Sequence, residues 1–160
     1  TMGPLTTFEG WKRVKSAVEE ALAKGAQVLY GGKKPSGEQF EKGYFFEPTV
    51  LTKVDHSMSV VKEEMFGPTA PIMTFDSFDE AISLANDTEY GLVAYVYTKD
   101  LSKALKASKL LESGTVGVNN VSGGEFAYPY GGWKQSGLGV ENSHHAYEQY
   151  LLLKHIRIDY

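Results

Sequence analysis

The chain has 160 residues, a net charge of −4 and a pI near 5.6, an acidic balance that argues against nucleic acid and anionic membrane surfaces as partners. Its 42% apolar and 22% charged residues are those of an ordinary globular protein, and no apolar run approaches the ~18 residues of a membrane span. Cysteine is absent, which excludes disulfides, thiolate metal sites and a cysteine nucleophile from this chain.

The length fits one domain, no signal peptide opens the sequence, and the expected compartment is the cytoplasm. Residues 6–24 carry Phe8, Trp11, Val14, Val18, Ala21 and Leu22 at three- and four-residue steps, which predicts a helix with one apolar face. Thr6 or Thr7 can cap it, Glu9 follows Thr6 at capping-box spacing, and Gly25 is a stop signal. A short strand, Val28 to Tyr30, comes next and is closed by Gly31-Gly32. KKPSGEQFEKG (33–43) is a surface loop. YFFEPTVLTKV (44–54) is β-rich but interrupted by Pro48, so it reads as two short edge pieces.

TAPIMTF (69–75) reads as a strand. SFDEAISLANDTEYG (77–91) reads as a helix capped by Ser77, with Phe78, Ala81, Ile82 and Ala85 on its apolar face. LVAYVYT (92–98) has the continuous apolar pattern of a buried parallel strand. A helix ending at Gly114 and a strand TVGVNN (115–120) complete a predicted βαβαβ unit with a parallel sheet. Ligands of such sheets sit beyond the carboxyl ends of the strands. Residues 121–140 hold six glycines and four aromatics, Phe126, Tyr128, Tyr130 and Trp133, the composition of a functional loop rather than a disordered one. ENSHHAYEQY (141–150) can form a short helix. LLLKHIRIDY (151–160) alternates like a terminal strand, a sheet edge in need of a partner.

Several motifs fail on spacing. GGWKQSG and GGKKPSG lack the glycine-lysine interval of a phosphate loop. His144 and His145 are adjacent, so on a helix their side chains diverge and no shared metal is expected. Ser143 beside His144 has no placed acid partner and is no catalytic triad. The lysines of 99–109 read as a solvated helix face.

Three stretches taken together resemble one family. EEMFGP (63–68), NDTEYGL (86–92) and YPYGGWKQSGLG (128–139) are similar to E-E-x-F-G-P, N-x-x-x-Y-G-L and P-F-G-G-x-K-x-S-G-x-G of the aldehyde dehydrogenase superfamily. MGPL (2–5) and GYFFEPTVL (43–51) fit the same template in the same order, so the resemblance covers essentially the whole chain and points to the C-terminal third of that family. It implies an α/β fold, a three-layer, mostly parallel sheet with flanking helices. Residues 1–149 would be the C-terminal part of a catalytic domain, and residues 150–160 an oligomerisation strand that pairs with another copy.

The resemblance also implies site residues. Glu64 would accept hydrogen bonds from the ribose hydroxyls beside the nicotinamide of NAD or NADP, as an ionised carboxylate does well for a vicinal diol. Phe66 would pack on the nicotinamide ring, Gly67-Pro68 would set the turn, and Glu63 would be structural. Asn120, Ser122, Gly124, Phe126 and Tyr130 would line the aldehyde funnel. Tyr130 replaces the usual phenylalanine and adds a hydroxyl that would suit a more polar aldehyde. The family's cysteine nucleophile, glutamate base and oxyanion-hole asparagine precede the matching region. The chain is therefore expected to be a fragment, inactive alone, of an enzyme that oxidises an aldehyde to an acid through a cysteine thioester. The cofactor site is incomplete in this chain, and the Thr1 start fits a segment of a longer protein. The competing reading is a free-standing, non-catalytic binding or assembly module of the same fold. Val140 to His144 depart from the family's usual R-E after the S-G-x-G motif, which opens the question of subfamily.

Overall fold

The computed structural model describes residues 2–121 and 125–160, and the chain divides into two compact units, Thr1–Phe75 and Asp76–Tyr160. The first unit opens with α1 (Phe8–Ala23). Thr7 caps it, its hydroxyl accepting from the Gly10 N–H at 3.1 Å, so Glu9 falls one place short of the box position. At the other end Gly25 takes a φ of +102°, and the Ala26 N–H donates back to the Ala21 carbonyl at 2.9 Å, a Schellman closure that only glycine enters without strain. The buried stripe is Val14, Ala17, Val18 and Ala21. Phe8 and Leu22, expected on that face, lie exposed at its margins.

This helix packs against a three-stranded sheet, β1 (Gln27–Tyr30), β2 (Thr49–Thr52) and β3 (Thr69–Pro71), in the order β1-β2-β3. The β1–β2 pair is antiparallel with an irregularity between Val28 and Tyr30, and the β2–β3 pair is parallel. β2 is thus the central strand and not the expected edge piece. Pro48 stands just before it, where a missing N–H breaks no ladder bond. Of the preceding residues, Tyr44 makes only an isolated antiparallel bridge with Leu5. A short helix α2 (Ser59–Lys62) precedes β3. Leu51 and Met58 sit at the centre of the core with Val14, Val18, Phe46 and Val60. Leu51→Ala at such a position typically costs about 2–5 kcal/mol. Thr49 is buried yet satisfied, donating to the Glu47 carbonyl at 2.7 Å and accepting from the Gly32 N–H at 2.9 Å.

The second unit begins with α3 (Phe78–Asn86), capped by Ser77, whose Oγ accepts from the Glu80 N–H at 3.1 Å; Glu80 in turn accepts from the Asp76 N–H at 2.7 Å. Next come β4 (Tyr90–Gly91), β5 (Val93–Val96), α4 (Leu101–Leu110), β6 (Thr115–Val118), β7 (Trp133–Lys134) and α5 (His145–Glu148). Asp100 caps α4, which buries Ala104 and Ala107 and turns its lysines outward, as expected. β5 and β6 pair in parallel across α4, and β4 pairs antiparallel with β7.

The expected three-layer, mostly parallel sheet is therefore corrected. Among the described residues the strands form three small sheets of three, two and two strands with mixed pairing. The predicted βαβαβ unit holds only for β5–α4–β6, because β3 gives its hydrogen bonds to β2. β5 is half-buried rather than buried, with Tyr95 exposed, since a two-stranded sheet covers it along one edge only. Residues 151–160 form no strand: they pair with no described strand, and without a ladder the alternating pattern has nothing to register against. The His144 and His145 rings do not diverge: their centroids lie 4.0 Å apart at the start of α5. Among the described residues no helix is long and apolar enough to cross a membrane.

Candidate functional site

Residues 63–68 form a loop of the first unit between α2 and β3. Its start is fixed by α2, where the Glu63 N–H donates to the Ser59 carbonyl at 2.9 Å and ends the helix. Met65 is buried in the core, and its carbonyl accepts from Arg13 Nη2 at 3.2 Å. Gly67 lies so close to Val14 that a β-carbon there would collide with its side chain. The Pro68 carbonyl accepts from the Thr49 N–H at 2.8 Å, which feeds the chain into β3. Between these anchors Phe66 is held at a φ of +49° with 82% of its surface exposed. A left-handed conformation costs a bulky residue about 1–3 kcal/mol and persists where the surroundings over-determine it.

The loop thus presents an apolar ring to solvent instead of burying it. Beside it the Glu64 carboxylate is exposed and makes no hydrogen bond or ion pair among the described residues. An open carboxylate next to an open aromatic face can accept from a diol and cover a flat heteroaromatic ring. Met65 and Arg13, which position the pair, carry no sequence signal. Arg13 lies 52 residues from its partner, and a buried methionine reads as ordinary core.

In the second unit the expected funnel residues scatter over one irregular segment. Asn120 is exposed, and Asn119 beside it does the pinning at a φ of +53°: its Oδ1 accepts from the Thr98 N–H and its Nδ2 donates to the Thr98 carbonyl, both at 2.9 Å. Asn119 carries no motif signal in the sequence, although asparagine is among the non-glycine residues that most readily take a left-handed position. Phe126 is 92% exposed, and its carbonyl accepts from the Ser143 N–H at 2.8 Å. Tyr130 is half-buried and exchanges two backbone hydrogen bonds with Glu141, at 2.9 and 2.7 Å. Ser122 and Gly124 lie outside the described residues.

The remaining residues of the glycine-rich motif are ties within this unit. Lys134, at a φ of +51°, donates from Nζ to the Asn86 carbonyl at 2.8 Å and the Thr88 carbonyl at 3.1 Å, and pairs with Glu112 at 2.7 Å. Ser136 Oγ accepts from the Gly91 N–H at 3.0 Å. Asn86 bonds both ways across the end of α4, from Nδ2 to the Leu110 carbonyl and to Oδ1 from the Glu112 N–H. The N-x-x-x-Y-G-L and G-G-x-K-x-S-G stretches are therefore stitched to each other.

Comparison with known proteins agrees with these motifs. A model described as the aldehyde dehydrogenase family matches residues 1–156. A 3,6-anhydro-alpha-L-galactose dehydrogenase of Streptomyces coelicolor is 45% identical over 98% of this chain and 32% of its own length. A 3-sulfolactaldehyde dehydrogenase of Pseudomonas putida is 44% identical over 98% of this chain and 31% of its own. Among solved structures, a betaine aldehyde dehydrogenase of Staphylococcus aureus in complex with NAD+ superposes with a TM-score of 0.90 at 42% identity, covering 98% of this chain and 32% of that one. The chain thus spans about a third of the length of the relatives it matches. These shares give the length of the match; the expected C-terminal placement gains no support from them.

Proposed function

From the premise that this chain belongs to the aldehyde dehydrogenase family, we propose that it is a segment of an NAD(P)-dependent aldehyde dehydrogenase that holds the nicotinamide side of the cofactor. The observation that carries this reading is the 63–68 loop, which keeps the Phe66 ring exposed in a strained backbone beside a Glu64 with no partner among the described residues. Glu64 would accept from the ribose hydroxyls and Phe66 would cover the nicotinamide face. When bound, the cofactor supplies the hydride acceptor for the oxidation.

Asn120, Ser122, Gly124, Phe126 and Tyr130 would line the path of the aldehyde, with the Tyr130 hydroxyl favouring a polar one. The nucleophile cannot come from a chain without cysteine, so this segment is inactive alone and the thiolate belongs to the rest of the parent polypeptide. A cytoplasmic location and assembly with further copies through residues 150–160 are part of the same proposal. Nothing in it depends on which third of the relatives the chain matches, because the glutamate, the ring and the missing cysteine are properties of this chain.

An antibody raised against the 17.6-kDa chain is expected to isolate from the source cells a polypeptide roughly three times heavier, as a 32% share implies, that reduces NAD(P)+ with an aldehyde. A cellular species of 17.6 kDa would overturn the proposal in favour of a free-standing module, and aldehyde-dependent NAD(P)+ reduction by the purified chain alone would overturn the inactivity of the segment.

A further inference from the structure

We propose that His144, His145 and Glu148 form a binding site for a divalent transition metal of the zinc, nickel or copper type. The three residues each bring one donor atom into a group spanning 4.8 Å or less. The two imidazoles lie with centroids 4.0 Å apart, and His145 Nδ1 is 3.1 Å from Glu148 Oε2. Two donors on one metal at ~2.0–2.2 Å stand ~3–4 Å from each other, so small side-chain rotations convert the present spacing into coordination.

The backbone supplies the reason for this convergence. Asn142 and Ser143 both take positive φ, at 60° and 53°, and the His145 N–H turns back to Ser143 Oγ at 3.3 Å. His144 therefore stands at the cap of α5 rather than within it, and Glu148 comes round on the same side three residues after His145. Two imidazole nitrogens and a carboxylate oxygen suit zinc, nickel and copper and disfavour hard cations such as magnesium and calcium. Three protein donors leave a further coordination position for water or a donor from another molecule. The site is independent of the Glu64 loop and of the proposed dehydrogenase role.

The test is calorimetric titration of zinc chloride, and separately nickel chloride, into the 160-residue chain and its variants. One metal per chain is expected, weakened at least about tenfold by His144→Ala or by His145→Ala, less by Glu148→Gln, and unchanged by His155→Ala in the tail. All three ligands are exposed, so the variants keep the metal-free melting temperature, and the 15N shifts of the two histidine rings move together on addition of zinc. Absence of saturable one-to-one binding, or binding that persists in the His144→Ala/His145→Ala double variant or follows His155, would overturn the proposal.

Discussion

Phe66 shows how a single residue can be costly for the fold and still be kept. Its left-handed backbone and its solvent-facing ring both oppose stability, and they are imposed by neighbours on either side, the buried Met65 and the tightly packed Gly67. Adding one methyl group at Gly67→Ala drives it into Val14 and should destabilise the first unit by about 1–3 kcal/mol, read as a lower urea midpoint. Glu64→Gln should leave that midpoint unchanged, because the carboxylate has no partner among the described residues. In the parent enzyme the same change should raise the KM for NAD(P)+ by about tenfold or more, the worth of a charge-assisted hydrogen bond. A Glu64→Gln enzyme with an unaltered KM would remove the glutamate from the cofactor site. The loop was legible in the sequence only as a motif. The ring's exposure, the contact with Val14 and the Arg13 anchor join residues far apart in the chain and became visible only in three dimensions.

Elements are held by caps and ties whose chemistry differs between the two units. In the first, Glu20 near the end of α1 accepts from the Ser59 N–H at 3.1 Å at the start of α2 and pairs with Lys24, which also reaches the Ser57 carbonyl. The hydrogen bond from Lys24, helped by Ser59, holds the Glu20 carboxyl below its ordinary value near 4.5. A carboxyl depressed in the folded state adds stability that is fully present above pH 4.5 and fades as pH falls through the native value. The urea midpoints of the wild type and Glu20→Gln should therefore differ most near neutrality and converge in acid. In the second unit Lys134→Met removes a cation that satisfies two carbonyls and Glu112, and should cost about 1–3 kcal/mol, seen as a lower melting temperature. The helices were legible because their periods and caps are local: Thr7, Ser77 and Asp100 each lie next to the apolar rows they introduce. The sheets were not. Whether TAPIMTF pairs with the strand at 92–98 or with Thr49–Thr52 is decided by distant partners, and it pairs with the latter.

For the molecule as a whole, the unanswered demand lies in residues 150–160. Tyr150, Leu151, Leu152, Leu153, Ile156, Ile158 and Tyr160 are all exposed, and the backbone from 151 onward belongs to no ladder. An apolar stretch whose backbone lies outside any ladder is a template for pairing with a sheet edge, and Arg157 and Asp159 between Ile156, Ile158 and Tyr160 give it a period of two from 156 to 160. A second copy of this chain offers such edges, since its small sheets each end in unpaired strands among the described residues. The full chain is therefore expected to sediment as a dimer or larger at micromolar concentration, and a chain ending at residue 149 as a monomer with an unchanged fold by circular dichroism. Equal sedimentation of the two would show that the segment does not drive association. A loss of helical signal on truncation would instead show that these residues fold back on their own chain.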